Sequence, residues 1–281
     1  MRQVTFYIGV VALCSWAIVA QAGPLRCPPD SVKVGTTCVD KYEASVWQIA
    51  PDNTALVKKV QQGRATLADL TAGGALQLVP ATTCLPFPSA NFNVTTGEWT
   101  AVPGSNPPSP GVYAVSIPGV PPSGCMSWFA ANQACLLSGK RLLTNVEWQG
   151  AAAGTPDPGA ADDGATTCAT NSPGPVNTGS RSNCKSSWGV FDMVGNAMEF
   201  VADWADLADA GNCTNWSNIM SGIPADRSCY GGSGSGWNNQ LPAGVFRGGY
   251  WAEGADAGIL AVNAMNDPTE WASATGFRCG R

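Results

Sequence analysis

The sequence predicts an α+β fold with little regular secondary structure, stapled by disulfides. Three observations carry that expectation. With 33 glycines and 21 prolines among 281 residues, turns and loops run through the whole chain. Ten of the 11 cysteines sit behind an export leader. Apolar periodicity appears only in short pieces, some with helical spacing and some with strand spacing. Charged residues make up 12% of the chain, about half the ~25% usual for a globular domain.

Composition also excludes chemistry. The chain has no histidine, so a Ser-His-Asp triad, a histidine general base and a histidine-ligated zinc, copper or haem iron are all ruled out. Acidic residues outnumber basic ones by 20 to 15. Apart from Lys140-Arg141, the one adjacent basic pair is Lys58-Lys59, so nucleic acid is not an expected partner.

Taken in order, residues 1–22 read as a signal peptide. Arg2 supplies the basic start, 4–19 the apolar run, and Ala20-Gln21-Ala22 the small-x-small cleavage site. The run is too short for a membrane span and is followed at once by Gly23-Pro24. Lipidation at Cys14 is the competing reading, disfavoured by bulky Leu13 before it. The chain is therefore expected to be exported: periplasmic, secreted or on the cell surface. Losing the leader removes Cys14 and leaves an even cysteine set with no Cys-x-x-Cys, which reads as a disulfide framework. The short-loop pairs are Cys27–Cys38, Cys168–Cys184 and Cys213–Cys229, although spacing alone leaves the connectivity open.

Residues 37–46 alternate like a half-exposed strand. From 80 to 122, Pro, Ser, Gly and Asn dominate, as in a long loop or insertion. Residues 127–137 place Trp128, Ala131, Ala134 and Cys135 on one helical face, with Gly139 as the C-cap. Thr144 and Glu147 form a capping box for a second helix reaching Ala152. The chain is then loop-rich to 187, with strand-like pieces at 244–250 and 259–262. Asp203, Asp206 and Asp209 have the spacing of a polar helix face, and the glycine-rich 231–236 reads as a flexible loop, not a phosphate cradle. Glycosylation sequons begin at Asn93, Asn212 and Asn215.

Several motifs occur together and in order. Gly139-Lys140-Arg141-Leu142-Leu143-Thr144, continuing to Glu147-Trp148, resembles the GKRLPTEAEWE signature of the formylglycine-generating enzyme (sulfatase-modifying factor) family. Gly189 to Phe200, with Asp192, Gly195, Asn196 and Glu199, is similar to its GLYDMxGNVWEW segment, and Asp203-Trp204 to the DW that follows. Arg247-Gly248-Gly249-Tyr250-Trp251 resembles RGGSW, Gly276-Phe277-Arg278-Cys279 resembles GFRC, and Asp40-Lys41-Tyr42-Glu43 resembles the early DKYE strand. The resemblance implies one domain over 23–281, with an insertion near 80–122, in an irregular fold of the C-type-lectin-like type. It also implies the long-range disulfide Cys135–Cys279. Trp148, Trp204 and Trp251 are expected to anchor loops, Gly248-Gly249 to serve close approach or positive φ, and Arg141, Arg247 and Arg278 to brace carboxylates or carbonyls.

For the site, the resemblance implies a structural calcium held by the side chains of Asp192 and Glu199 and the carbonyls of Gly195 and Ala197, hard oxygens of the kind Ca²⁺ prefers. The competing reading has Asp192 and Glu199 only capping a turn. Catalytic relatives bind Cu(I) through a cysteine pair just after RGGSW. Those positions are Glu253 and Gly258 here, so no copper is expected, and no haem. The family's iron-dependent sulfoxide synthases use a histidine triad, which this chain lacks. The expected function is a non-catalytic scaffold whose C-terminal loops, carrying Trp237, Trp251, Glu253, Asp256 and Trp271, bind a glycan, protein or cell-wall ligand. The alternatives are a divergent oxidoreductase of the formylglycine-generating type with an unrecognised cofactor, another enzyme in which carboxylates such as Glu253, Asp256, Asp267 and Glu270 do acid–base work, and a rigid structural protein with no ligand beyond calcium.

Overall fold

The computed structural model describes residues 25–82, 92–93, 98–101, 111–208, 211, 213–230 and 242–281. The long-range order comes from strands. A mixed six-stranded sheet runs Thr214–Asn215, Arg227–Cys229, Gly258–Asn263, Pro242–Gly248, Met198–Asp206, Thr275–Phe277. Its neighbours are antiparallel except at two joins, Arg227–Cys229 with Gly258–Asn263 and Met198–Asp206 with Thr275–Phe277. A second sheet orders Ser31–Val34, Thr37–Asp40, Cys279–Gly280 and Arg141–Leu142, which lays the last strand between two early ones. A third orders Leu76–Leu78, Ser45–Gln48 and Val112–Val115.

The α-helices among the described residues are five and short: α1 Thr54–Gln61, α2 Leu67–Ala72, α3 Trp128–Leu137, α4 Asn145–Ala152 and α5 Trp216–Ile219. Among the described residues none is long and apolar enough to cross a membrane. α3 forms as the sequence predicts. Ser127 Oγ accepts the Ala130 N–H, Gly139 takes φ +67°, and Ala130, Ala131, Ala134 and Cys135 are buried. α4 carries the full Thr144–Glu147 capping box. Its first turn is also fixed from outside, where Asp203 Oδ2 accepts the Asn145 N–H at 2.6 Å.

The main core lies where α3 covers the six-stranded sheet through Phe200, Phe246 and Phe277, the first two with ring centroids 4.1 Å apart. A second cluster sits beneath α4 around Trp148, Val201 and Val245. A third seals α1 and α2 onto the three-stranded sheet through Leu56, Val60, Leu70, Trp47 and Tyr113. Disulfides join Cys27–Cys38, Cys168–Cys184, Cys213–Cys229 and, across 144 positions, Cys135–Cys279. Cys125 is disulfide-bonded as well.

Three expectations need correction. Residues 37–46 are not one strand. Thr37–Asp40 pairs in the four-stranded sheet and Ser45–Gln48 in the three-stranded one, with 41–44 crossing between. The break is enforced at Glu43, whose carboxylate is buried and held by the Asn196 side chain and the Ala197 N–H. The 80–122 segment is not all loop, because its apolar run Val112–Val115 forms a fully buried strand beside Ser45–Gln48. Asp203 and Asp206 do not lie on a helix. They belong to the nine-residue strand Met198–Asp206, paired on both sides along its first half and therefore governed by sheet partners. Asp209 and 231–236 lie outside the described residues.

One buried ion pair crosses between these parts. Arg278 is fully buried, donates from Nε and Nη2 to the two oxygens of Glu199 at 3.1 and 2.7 Å, and reaches the Asp40 and Phe191 carbonyls. Removing one member of such a pair costs about 3–5 kcal/mol. Arg278→Ala is expected to lower unfolding stability by that order in urea titration. Arg278→Lys is expected to recover little, since an ammonium cannot make the forked contact. A lysine variant as stable as the parent would contradict this assignment.

Candidate functional site

The turn before Met198–Asp206 is built on two residues in the left-handed region, Asp192 (φ +59°) and Asn196 (φ +58°), both buried. Asp192 Oδ2 accepts the Gly179 N–H at 2.6 Å. Asn196 accepts the Val176 N–H and donates to Glu43. Both oxygens of Glu199 are engaged by Arg278, and Oε2 also accepts Trp148 Nε1–H at 2.8 Å. The buried cluster thus sets three carboxylates, Glu43, Asp192 and Glu199, against the guanidinium of Arg278, with Arg181 acting on Asp192 from one side. Burial, opposed by the Gly179 N–H and Arg278, raises Asp192 to about 7. Burial and the charges of Asp192 and Glu199 push Glu43 well above the usual carboxylate range.

A calcium ion at Asp192, Gly195, Ala197 and Glu199 would suit this excess of negative charge. The donor geometry fits less well. Glu199 is committed to Arg278 and Trp148, which leaves Asp192 as the side-chain donor of the set, and among the described residues no three His, Cys, Asp or Glu side chains are grouped to hold a metal ion.

The second region follows Pro242–Gly248. Gly248 and Gly249 both have positive φ, and a Cβ on Gly249 would lie 2.6 Å from Ala257 Cα. Backbone geometry therefore requires glycine here. The turn folds Glu253 back onto its own start, where Oε2 accepts the Tyr250 N–H at 3.2 Å. Arg227 joins Glu253 at 3.4 Å and also pairs with Asp256. Asp256 further accepts from Asn215. The hollow between Arg227, Glu253, Asp256 and Asn263 has a volume of about 10 Å³, enough for about one water molecule.

Gly258, where the sequence resemblance expects the second thiolate of catalytic relatives, backs directly onto Asp226. A Cβ there would fall 2.1 Å from Asp226 Oδ2. Asp226 is fully buried, and its Oδ2 takes the Leu260 N–H at 2.7 Å. Burial, with the Asp157 carboxyl beside it, raises Asp226 to about 6. Neither Asp226 nor Arg227 carries a motif signal, which is why sequence reasoning passed over both.

The other expected site residues separate. Trp251 is half-buried, edge-on to Tyr250 at 5.4 Å. Trp271 is 54% exposed on a different loop, the one whose Pro268 and Ala272 carbonyls hold α3's start and Cys125. Trp237 lies outside the described residues. Trp204, expected as an anchor, is instead 43% exposed. It packs edge-on against Trp128 and Phe129 at 5.1 and 5.8 Å, an open aromatic cluster. The arginines brace as expected: Arg141 holds Glu147, Arg278 holds Glu199, and Arg247 holds Asn145, Gln149 and the Ile259 carbonyl while lying 4.9 Å from the Trp148 ring. The Asn215 amide is taken by the Ala225 carbonyl and Asp256, so that sequon presents no free acceptor.

A scaffold of short strands, a buried Arg–Glu–Trp knot and a glycine-pinned turn defines the class. Residues 28–281 match the sulfatase-modifying factor enzyme 1-like domain, and the chain belongs to that family. No curated protein matches it. Solved structures with loose similarity include the U1 variant of a major tropism determinant, 22% identical over 55% of this chain and 37% of that one, TM-score 0.36. Variable protein 1 of Treponema denticola is 25% identical over 50% and 47%, TM-score 0.31. PvdO from Pseudomonas aeruginosa is 18% identical over 87% and 80%, TM-score 0.32. The chain spans about 37% of the length of the first of these.

The raised Asp226 has a pH consequence. Its ordinary value of 3.8 becomes about 6 in the folded chain, so between those values the folded state holds a proton that the unfolded chain has lost. Stability from this group therefore falls as pH rises through that window and stays low above it. Asp226→Asn is expected to flatten that limb in urea unfolding followed from about pH 4 to 7. An unchanged slope would remove Asp226 as its source.

Proposed function

We propose that this chain is an exported, non-catalytic member of its family whose outer loops bind a ligand. The observation that carries the reading is Gly258. The position that the resemblance gives to the second thiolate is a glycine, and a Cβ there would fall 2.1 Å from the Asp226 carboxyl as the fold places it. The first position, Glu253, is held by Arg227 and the Tyr250 N–H, so neither position of the pair offers a soft donor for Cu(I). Acid–base catalysis by Glu253 and Asp256 finds no support either, since both bind Arg227 and the hollow beside them admits only about a water.

The ligand surface is then formed by exposed aromatics set among small polar residues: Trp271, the rim of Trp251 and, beyond the sequence expectation, Trp204 with Trp128 and Phe129. Such surfaces suit glycans, proteins or cell-wall fragments. Export is supported by the leader-like 1–22 segment and by the disulfides. Calcium belongs to the proposal as a structural ion with Asp192 as its side-chain ligand and the Gly195 and Ala197 carbonyls beside it. It would offset the surplus of Glu43, Asp192 and Glu199 over Arg278 and Arg181.

The deciding assay incubates the oxidised, purified protein with Cu(I), oxygen and a cysteine-containing peptide. No conversion of thiol to aldehyde is expected by mass spectrometry, and turnover overturns the non-catalytic reading. Glycan and cell-wall arrays with Trp204→Ala and Trp271→Ala are expected to show a signal weakened at least about tenfold. Calcium titration by calorimetry is expected to saturate with the parent and fail with Asp192→Ala. A flat parent titration would remove calcium and leave the scaffold reading in place.

A further inference from the structure

Away from the C-terminal loops, the described residues form an open cleft of about 390 Å³ between the 29–30 turn, 41–42, the 63–67 segment leading into α2, and 116–118. That volume falls in the range of small-molecule sites. Its walls are mainly apolar: Pro29, Ala65, Leu67, Ile117 and the Tyr42 ring. Tyr42 is held rigid by stacking on Phe191, centroids 5.2 Å apart and planes 21° off parallel. Leu67 is 41% exposed, an apolar side chain left open to solvent at the mouth.

The charges are one-sided. Asp30, the acid on the lining, is already neutralised by Lys140 at 2.7 Å and Arg281 at 3.1 Å. Although burial pushes its pKa up, these two cations outweigh burial and hold it down. Lys41 spends one Nζ donor on the Pro29 carbonyl at 2.9 Å and keeps the others. Arg64 is exposed and makes no side-chain hydrogen bond or ion pair among the described residues. A net-acidic chain therefore presents an apolar cavity with two unspent cations.

We propose that this cavity binds a small organic carboxylate, with its anionic head on Arg64 and Lys41 and an aromatic or branched aliphatic body against Tyr42, Leu67 and Ile117. A neutral apolar molecule would leave both cations without a counter-charge. A compact polar anion such as sulfate would leave the apolar walls wet. The guanidinium offers the forked donor pair that a carboxylate matches. The site shares no residue with the turn at 249–258 and stands independently of the ligand reading above.

The test uses 4-tert-butylbenzoate as probe against the full mature chain, by calorimetry and ligand-observed NMR, with 4-tert-butylbenzyl alcohol and sulfate as controls. Saturable binding of the benzoate is expected near about 1 mM or tighter, typical for a ligand of this size. The alcohol is expected at least about tenfold weaker, with sulfate failing to compete. Arg64→Gln combined with Lys41→Gln is expected to weaken the benzoate about tenfold or more and leave the alcohol unchanged. Leu67→Asp should weaken both. These side chains are at the surface, and unchanged near-UV circular dichroism would confirm that the variants are folded. No saturation by the benzoate, equal affinity for acid and alcohol, or undiminished binding to the double variant would each overturn the proposal.

Discussion

The Arg278–Glu199 pair is the interaction on which the described structure turns. A guanidinium and a carboxylate taken wholly out of water must satisfy nearly all their hydrogen-bonding capacity on protein groups. Here the partners come from across the chain: the Asp40 carbonyl on an early strand, the Phe191 carbonyl on the turn, and Trp148 Nε1 on α4. None of these elements is long enough to be stable alone. Each contributes one or two polar atoms to a shared knot, and the apolar clusters around Phe200 and Trp148 close over it. The Cys135–Cys279 bridge, adjacent to Arg278, ties the same last strand to α3. Lys140 repeats the device one layer away, fully buried between Asp30 and Asp40, where burial lifts Asp40 to about 6 despite the ammonium.

The turn at 249–258 is organised by buried polar contacts of the same kind. Gly248 and Gly249 let the chain reverse at positive φ, and the reversal returns Glu253 to Tyr250 and Arg227. Asp226 then fills the space that a side chain at 258 would need. Glu253 and Asp256 look free in the sequence, but in the fold both are bound to Arg227. Among the described residues, the exposed aromatics and the separate cavity beside Arg64 are where we propose that ligands bind.

Legibility in the sequence followed the range of the forces involved. α3 and α4 were readable because Ser127, Gly139, Thr144 and Glu147 act within three or four residues of the backbone groups they satisfy. The bracing roles of Arg141, Arg247 and Arg278 were readable through their motifs. α2 was passed over even though Thr66 and Asp69 form a capping box, because only Leu70 of its six residues is buried and the apolar stripe is faint. The strand Met198–Asp206 was hidden in its second half, where the aspartates mimic helical spacing while the sheet partner at 242–244 governs. Trp204 was misjudged because a large apolar residue carries no local sign of which side faces water.

By itself the sequence determined the family, the α+β character, the two capped helices and the supply of cysteines, since motif order, cap chemistry and composition are properties of neighbours along the chain. Tertiary structure alone decided that Glu199 belongs to Arg278, that Asp226 closes the space behind Gly258, and that Lys41 and Arg64 both line one mainly apolar cavity. Those outcomes depend on which buried charges face one another after the sheets assemble. The desolvation that makes such contacts compulsory exists only once the core has closed.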